Sequence, residues 1–159
     1  MNARFDMMTN DLGKSLGKRF AGLSMLLRNS SLPTPTQELV SLRASQINGC
    51  GFCTDMHTKD AAAAGETAER LHLVAVWREA TVFTPAERAA LALTEEGTRI
   101  ADAGDVSDAT WAQAREHYDD DQLAALVMLI GLINAANRMN VIVRTPAGQY
   151  QPGQFANAG

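Results

Sequence analysis

The sequence predicts an all-α protein, on three observations. The five prolines, Pro33, Pro35, Pro85, Pro146 and Pro152, fall where a helix can begin or where regular structure has ended, and none interrupts residues 86–145. Apolar residues recur at spacings of three and four, and no segment alternates with period two between hairpin turns. Helix starts and stops are also written out, with Thr-Pro pairs opening segments and glycines closing them. At 159 residues, 46% of them hydrophobic, the chain can bury one core but is short for two domains of ordinary size, so residues 1–159 are read as a single domain.

Seven helices follow in order, and the expected architecture is a bundle of about six or seven. The first covers residues 10–29, with Leu12, Leu16, Phe20, Leu23 and Leu27 on one stripe. Thr34-Pro35-Thr36-Gln37 has the form of a capping box and opens the second, which runs from Pro35 to Asn48 before Gly49 stops it. The third begins at Cys50 and runs to Ala64, ahead of Gly65; the fourth takes Thr67 to about Glu79. Thr84-Pro85-Ala86-Glu87 is a second capping box, opening a helix to about Asp102. After a turn at residues 102–105, Ser107 caps a short helix to Tyr118, and Asp119-Asp120-Asp121 suits the positive end of a last helix reaching Val143. Residues 145–159, with Pro146, Gly148, Pro152 and Gly153, form a non-helical tail that packs on the body or on a neighbouring subunit.

Charge and composition narrow the function. Fourteen Lys and Arg against eighteen Asp and Glu leave a net charge of −4, scattered among apolar residues, which argues against a nucleic-acid partner. The N-terminal residues lack the apolar segment of a signal peptide, and the expected location is cytoplasmic. The longest uninterrupted apolar run, Leu123 to Ile133, falls short of the roughly 20 residues of a membrane span. It is apolar all round, so it belongs in the core or in a contact between subunits, and a homo-oligomer is expected.

The chemistry is concentrated in Gly49-Cys50-Gly51-Phe52-Cys53-Thr54-Asp55-Met56-His57. Cys50 and Cys53 are the only two cysteines, at a spacing that lets a disulfide close and reopen. In a reducing compartment such a pair points to catalysis, sensing or metal binding before a permanent crosslink. The first turn of a helix presents unpaired N–H groups that favour an anion. Lowering a thiol pKa from about 8.5 to about 6.5 would raise its thiolate fraction at pH 7 from roughly 3% to roughly 75%. His57 stands four residues after Cys53, on the same helical face, where it can act as base or ion-pair partner. Cys53 is therefore expected to attack an electrophile and Cys50 to close the disulfide on the resulting sulfenic acid. Glu38, the only acid between Pro33 and Gly49, is the candidate to orient His57. Counted along an antiparallel pair folding at Gly49, Glu38 and His57 are offset by about 6 Å, which suggests a tilted crossing, a bridging water or an indirect contact.

Glu38, eleven intervening residues, Cys50-x-x-Cys53 and three further residues before His57, within Leu42-Arg43-Ala44-Ser45-Gln46-Ile47-Asn48-Gly49-Cys50, resemble the core of the AhpD-like alkylhydroperoxidases of the carboxymuconolactone decarboxylase superfamily. The resemblance covers residues 32–65 and extends more loosely to Leu73–Arg78 and Ile133–Arg138. It implies an all-helical subunit, a trimer or hexamer, and reduction of hydroperoxides by thiols with no metal or flavin. By the same resemblance Cys53 is the peroxidatic thiol, Cys50 resolves it, and Glu38 and His57 form a proton relay. The expected partners are a hydroperoxide and a thiol reductant, with a lipoylated protein or a peroxiredoxin as candidates. One departure is Phe52, which stands where well-studied members carry a second histidine between the cysteines.

Other readings compete. Zinc would need a ligand from elsewhere, because two thiols and one imidazole do not complete a tetrahedral site. Two inert core thiols fit the spacing as well. A decarboxylase or lactone-handling enzyme with incidental thiols, or a non-enzymatic redox sensor, would leave the cysteines outside turnover. His72 and His117 have no cysteine at matching spacing and are read as packing or surface residues. Asn134, Asn137 and Asn140 form a polar stripe, read as a subunit contact.

Overall fold

A computed structural model describes residues 2–155; Met1 and residues 156–159, the end of the expected tail, lie outside the described residues. The helices are α1 (Asp11–Arg28), α2 (Thr34–Ile47), α3 (Gly51–Ala63), α4 (Ala68–Leu73), α5 (Pro85–Thr98), α6 (Ile100–Ala103), α7 (Asp108–His117) and α8 (Asp120–Val143), with 3-10 turns at Met7–Thr9 and Val74–Val76. No strand occurs among the described residues, so the all-α class stands.

Several starts form as the sequence indicates. Thr84 accepts from the Glu87 backbone N–H while the Glu87 side chain accepts from the Thr84 N–H, and Asp119 and Gln122 make the same reciprocal pair at the start of α8. Thr67 and Ser107 cap α4 and α7. The box expected at Thr34 does not form. Pro33 is the N-cap of α2 without a side-chain bond, because Thr34 is already helical and Gln37 turns its amide to the Leu32 carbonyl at 2.8 Å.

Two boundaries differ because side chains claim backbone groups. The fourth helix ends at Leu73, short of Glu79: the Arg88 guanidinium donates to the carbonyls of Trp77, Arg78 and Ala80 at 2.9–3.0 Å, holding that stretch as a 3-10 turn and loop. The fifth stops at Thr98, and α6 appears as a separate turn, making eight α-helices among the described residues. Glu96 accepts from the Ser107 backbone N–H at 2.8 Å and from the Thr110 hydroxyl at 2.6 Å, which draws residue 107 back against α5 and forces a reversal between them.

Helix α2 is the axis of the molecule, packed against α3, α5 and α8. Leu39 and Leu42 meet Ala61, Leu71, Val74, Trp77 and Leu91 on one side. On another side Val40 joins the core of Ala90 and Leu93 from α5 with Leu123, Leu126 and Ile130 from α8. Glu95 ties these layers together, accepting from Arg43, Trp77 Nε1 and Arg78 at 2.5–2.9 Å. Burial pushes its carboxyl up, but the hydrogen bonds from Trp77 and Arg43 and the charges of Arg43 and Arg78 outweigh it and hold the group below the usual carboxylate range.

Not every expected core face is covered within the chain. On α1 the stripe is buried only toward its C-terminal end: Leu27 is 7% exposed, Phe20 and Leu23 are half-buried, and Leu12 and Leu16 stand at 69% and 50%. Helix α8, at 24 residues, is long and apolar enough by composition to cross a bilayer, yet Leu126, Ile130, Ile133 and Asn137 are buried inside the protein. Its other side leaves Val127, Met128, Val141 and Ile142 in the open.

Candidate active site

The corner between α2 and α3 places the thiols. Gly49 adopts φ +65°, a left-handed conformation that glycine enters without a Cβ penalty, and the chain reverses there within one residue. The Cys50 N–H then returns to the Ser45 carbonyl at 3.0 Å. Cys50 becomes the N-cap of α3, its Sγ accepting from the Cys53 N–H at 3.3 Å. Cys53 lies in the first turn, and the two sulfurs are joined as a disulfide with a Cα–Cα separation of 5.4 Å. Both residues are only 1% exposed, packed with Ala44 and Ile133 and flanked by Phe52 and Ala136.

His57 follows one turn along α3. Its Nδ1 meets Glu38 Oε2 at 2.8 Å, with both side chains about nine-tenths buried. The axial offset expected between them is spanned by the two side chains directly, since their combined reach exceeds it. Glu38 occupies Nδ1, so Nε2 is the ring nitrogen available for proton transfer. Glu38 also lines a pocket of about 380 Å³ between the start of α2 and the end of α3, beside Pro35, Ala64 and Arg70.

The asparagine stripe turns out to be internal. Asn48, at the end of α2, donates to Asn134 and Asn137 at 2.9 and 2.8 Å, and Asn137 donates to Ser45 Oγ at 3.0 Å. Asn137 is fully buried. These bonds lock α8 to the Gly49 corner, which replaces the expected subunit contact: small Ser41 and Ser45 let the helices approach closely enough for the amides to meet within one chain. The third member, Asn140, donates to Cys53 Sγ at 3.6 Å. Its i+3 spacing from Asn137 was visible in the sequence, but the pairing with Cys53 depends on helix packing. His72 and His117 are exposed and stand apart from the site.

The tail packs on α3 of the same chain. Gly148 N–H donates to Asp55 at 2.9 Å, Lys59 donates to the Tyr150 carbonyl at 2.9 Å, and the Tyr150 hydroxyl donates to Asp60 at 2.8 Å. Tyr150 is 4% exposed; burial, and then the hydrogen bond and charge of Asp60, raise its phenol to about 12. Phe52 meets Tyr150 edge-on at 6.4 Å, and Tyr150 stacks on Phe155 at 5.7 Å. Phe52 therefore anchors the tail, a packing role in which no proton can be carried.

Residues 15–96 match the family described as Carboxymuconolactone decarboxylase family. The uncharacterized protein YdfG of Bacillus subtilis strain 168 is 43% identical over 72% of this chain and 77% of its own length. The uncharacterized protein YnjA of Escherichia coli strain K12 is 32% identical over 76% of this chain and 65% of its own, so the chain spans just under two thirds of that relative. Among solved structures, a protein of unknown function from Agrobacterium tumefaciens, described as a putative antioxidant defence protein AhpD, superposes with a TM-score of 0.84 at 32% identity, covering 94% of this chain and all of that one. The apo form of a debrominase shares the fold at 16% identity, with a TM-score of 0.73 over 87% of this chain and 76% of its own.

Proposed function

The chain belongs to the carboxymuconolactone decarboxylase family, in its AhpD-like group, and from that premise we propose that it is a thiol-dependent peroxidase cycling between a Cys50–Cys53 dithiol and disulfide. The observation that carries this reading is the sequence of groups along one corner: a Cys50–Cys53 pair at the start of α3, and one turn on a buried imidazole fixed by Glu38.

In the dithiol state His57 Nε2 takes the Cys53 proton, and the thiolate attacks the terminal oxygen of a hydroperoxide. An S–O bond forms and the O–O bond breaks; the alkoxide leaves, takes the proton from His57 and departs as the alcohol. Cys53 is now a sulfenic acid. Cys50 attacks its sulfur, the S–S bond forms, and the displaced hydroxide leaves as water with the Cys50 proton. Two electrons and two protons from an external dithiol reopen the disulfide, for which a lipoylated protein or a peroxiredoxin partner is the proposed source. Ile133, Ala136 and Phe52 pack around the sulfurs, and these apolar surroundings support an organic hydroperoxide as the proposed substrate. The cytoplasm is the proposed compartment, because there the disulfide is readily reopened.

The test is steady-state turnover of cumene hydroperoxide against a dihydrolipoyl reductant, with free thiols counted before and after one turnover. Turnover with loss of two thiols per oxidised chain supports the reading; slow oxidation without turnover points to a sensor.

We also propose a homo-oligomer, a trimer or hexamer. Leu12 and Leu16 on α1 and Val127, Met128 and Ile142 on α8 support it, since a monomer would leave these side chains in water. Light scattering should return at least three times the 17.1 kDa chain mass at micromolar concentration, and a stable monomer would remove the proposal.

A further inference from the structure

The two sulfurs draw their hydrogen-bond donors from different parts of the chain. Cys50 Sγ takes the Cys53 N–H, a bond made within α3 by the N-cap geometry. The donor at Cys53 Sγ comes from α8, 87 residues away in sequence, as the Nδ2 of Asn140. The orientation of that amide is fixed. Nδ2 also donates to the Ala136 carbonyl at 3.0 Å, an acceptor that Oδ1 could not satisfy, so one N–H is held by the backbone and the other is left for the sulfur. The helix carrying it is fixed as well, because Asn137, one turn earlier and fully buried, binds Asn48 and Ser45 at the Gly49 corner.

An amide N–H gains more from an anionic acceptor than from a neutral one, so a donor built to face Cys53 favours the thiolate over the thiol. We propose that Asn140 is a catalytic residue of this site: the neutral donor that stabilises the Cys53 thiolate and sets its acidity apart from that of Cys50. The proposal takes Cys53 as the nucleophile from the peroxidase reading, while its chemical content, the acidity of one thiol, is independent of which electrophile is used. Asn140 is hydrogen-bonded to none of the titratable groups on the elements that carry the pair, which are His57 with Glu38 behind it, the Asp55–Lys59 pair on α3, and Arg138, which is bonded to Asn134 on α8.

The experiment uses two single-thiol proteins, Cys50→Ser to report on Cys53 and Cys53→Ser to report on Cys50. The rate of iodoacetamide alkylation is followed against pH, with Asn140 intact and replaced. In Asn140→Leu the apparent pKa of Cys53 should rise by about one, which from a starting value of about 6.5 is roughly a threefold slower alkylation at pH 7, approaching about tenfold at pH well below both values. Asn140→Asp should raise it further, since a carboxylate repels the thiolate. The Cys50 profile should stay where it was. Asn140→Ala removes the donor without adding an apolar branch and serves if the leucine variant fails to fold, with thermal melting as the check. An unmoved Cys53 profile in a folded variant would overturn the proposal, as would an equal displacement of both thiols, which is what a general loosening of the corner would produce. Alkylation needs neither peroxide nor reductant, so the failure of the peroxidase reading would appear in the turnover assay and leave this result standing.

Discussion

Cys53→Ser should abolish rapid consumption of hydroperoxide, the first turnover included, whereas Cys50→Ser should consume about one equivalent and stop as a sulfenic acid that a dimedone-type probe traps. The asymmetry follows from position. Cys53 shares a helical face with His57 one turn on and receives the Asn140 amide; Cys50 caps the helix and is placed to close on its neighbour. A serine hydroxyl at 53 remains protonated at neutral pH and cannot open an O–O bond at a comparable rate, so the loss should reach the background level. A reversed outcome, with first turnover lost in Cys50→Ser and kept in Cys53→Ser, would mean that the N-cap donor outweighs the imidazole and the amide together; the thiol cycle would survive and the roles would exchange. Full turnover in both variants would remove the thiols from the chemistry and favour an enzyme of the same family that works through His57 and Glu38.

Which parts of this site can be read from the sequence depends on how far apart in the chain its interacting groups lie. The cysteines, the glycine stop before them and the histidine after them fall within nine consecutive residues, so spacing alone places them, and the structure agrees. Capping follows the same rule when nothing competes, as at Thr84 and Asp119. At Thr34 the same pattern fails, because Thr34 is itself helical and the Gln37 amide donates to the Leu32 carbonyl instead of its oxygen accepting from the helix start. Longer-range claims are not written in any local pattern. Arg88 holds the stretch after α4 from eight to eleven residues away, and Glu96 reaches Ser107 to split the fifth helix. The polar stripe on α8 was visible as a stripe, but which helix it faces is decided by packing, so Asn137 and Asn140 belong to the corner and the thiol rather than to another subunit. Phe52 illustrates the same limit: nothing within the motif tells that its ring meets Tyr150, almost a hundred residues later.

The buried His57–Glu38 pair supplies the second large effect, and activity and stability should respond to it in opposite combinations. In the proposed cycle His57 is the base that takes the Cys53 proton and returns it to the leaving alkoxide, so in His57→Ala kcat/KM near neutral pH should fall by about 10² to 10⁴. The deficit should narrow as pH rises and the thiolate forms without help. Glu38→Gln keeps the shape but loses the carboxylate that orients the ring through Nδ1, and a smaller fall, on the order of tenfold to a hundredfold, is expected. Because Glu38 acts on the reaction through His57, the double variant should be no slower than His57→Ala alone. Stability should show the reverse. His57→Ala leaves the Glu38 carboxylate, whose side chain is 10% exposed, without its partner, at a loss of about 2–4 kcal/mol, whereas adding Glu38→Gln removes the stranded charge and should restore part of that loss. The measurements are kcat/KM against pH and urea unfolding for the two single variants and the double. If the activity losses multiply instead of coinciding, Glu38 acts on substrate or thiol by a route of its own, most directly from the pocket it lines beside Arg70, and the relay is not a single unit. If they coincide while stability recovers in the double variant, the carboxylate's place in this site is to hold the imidazole.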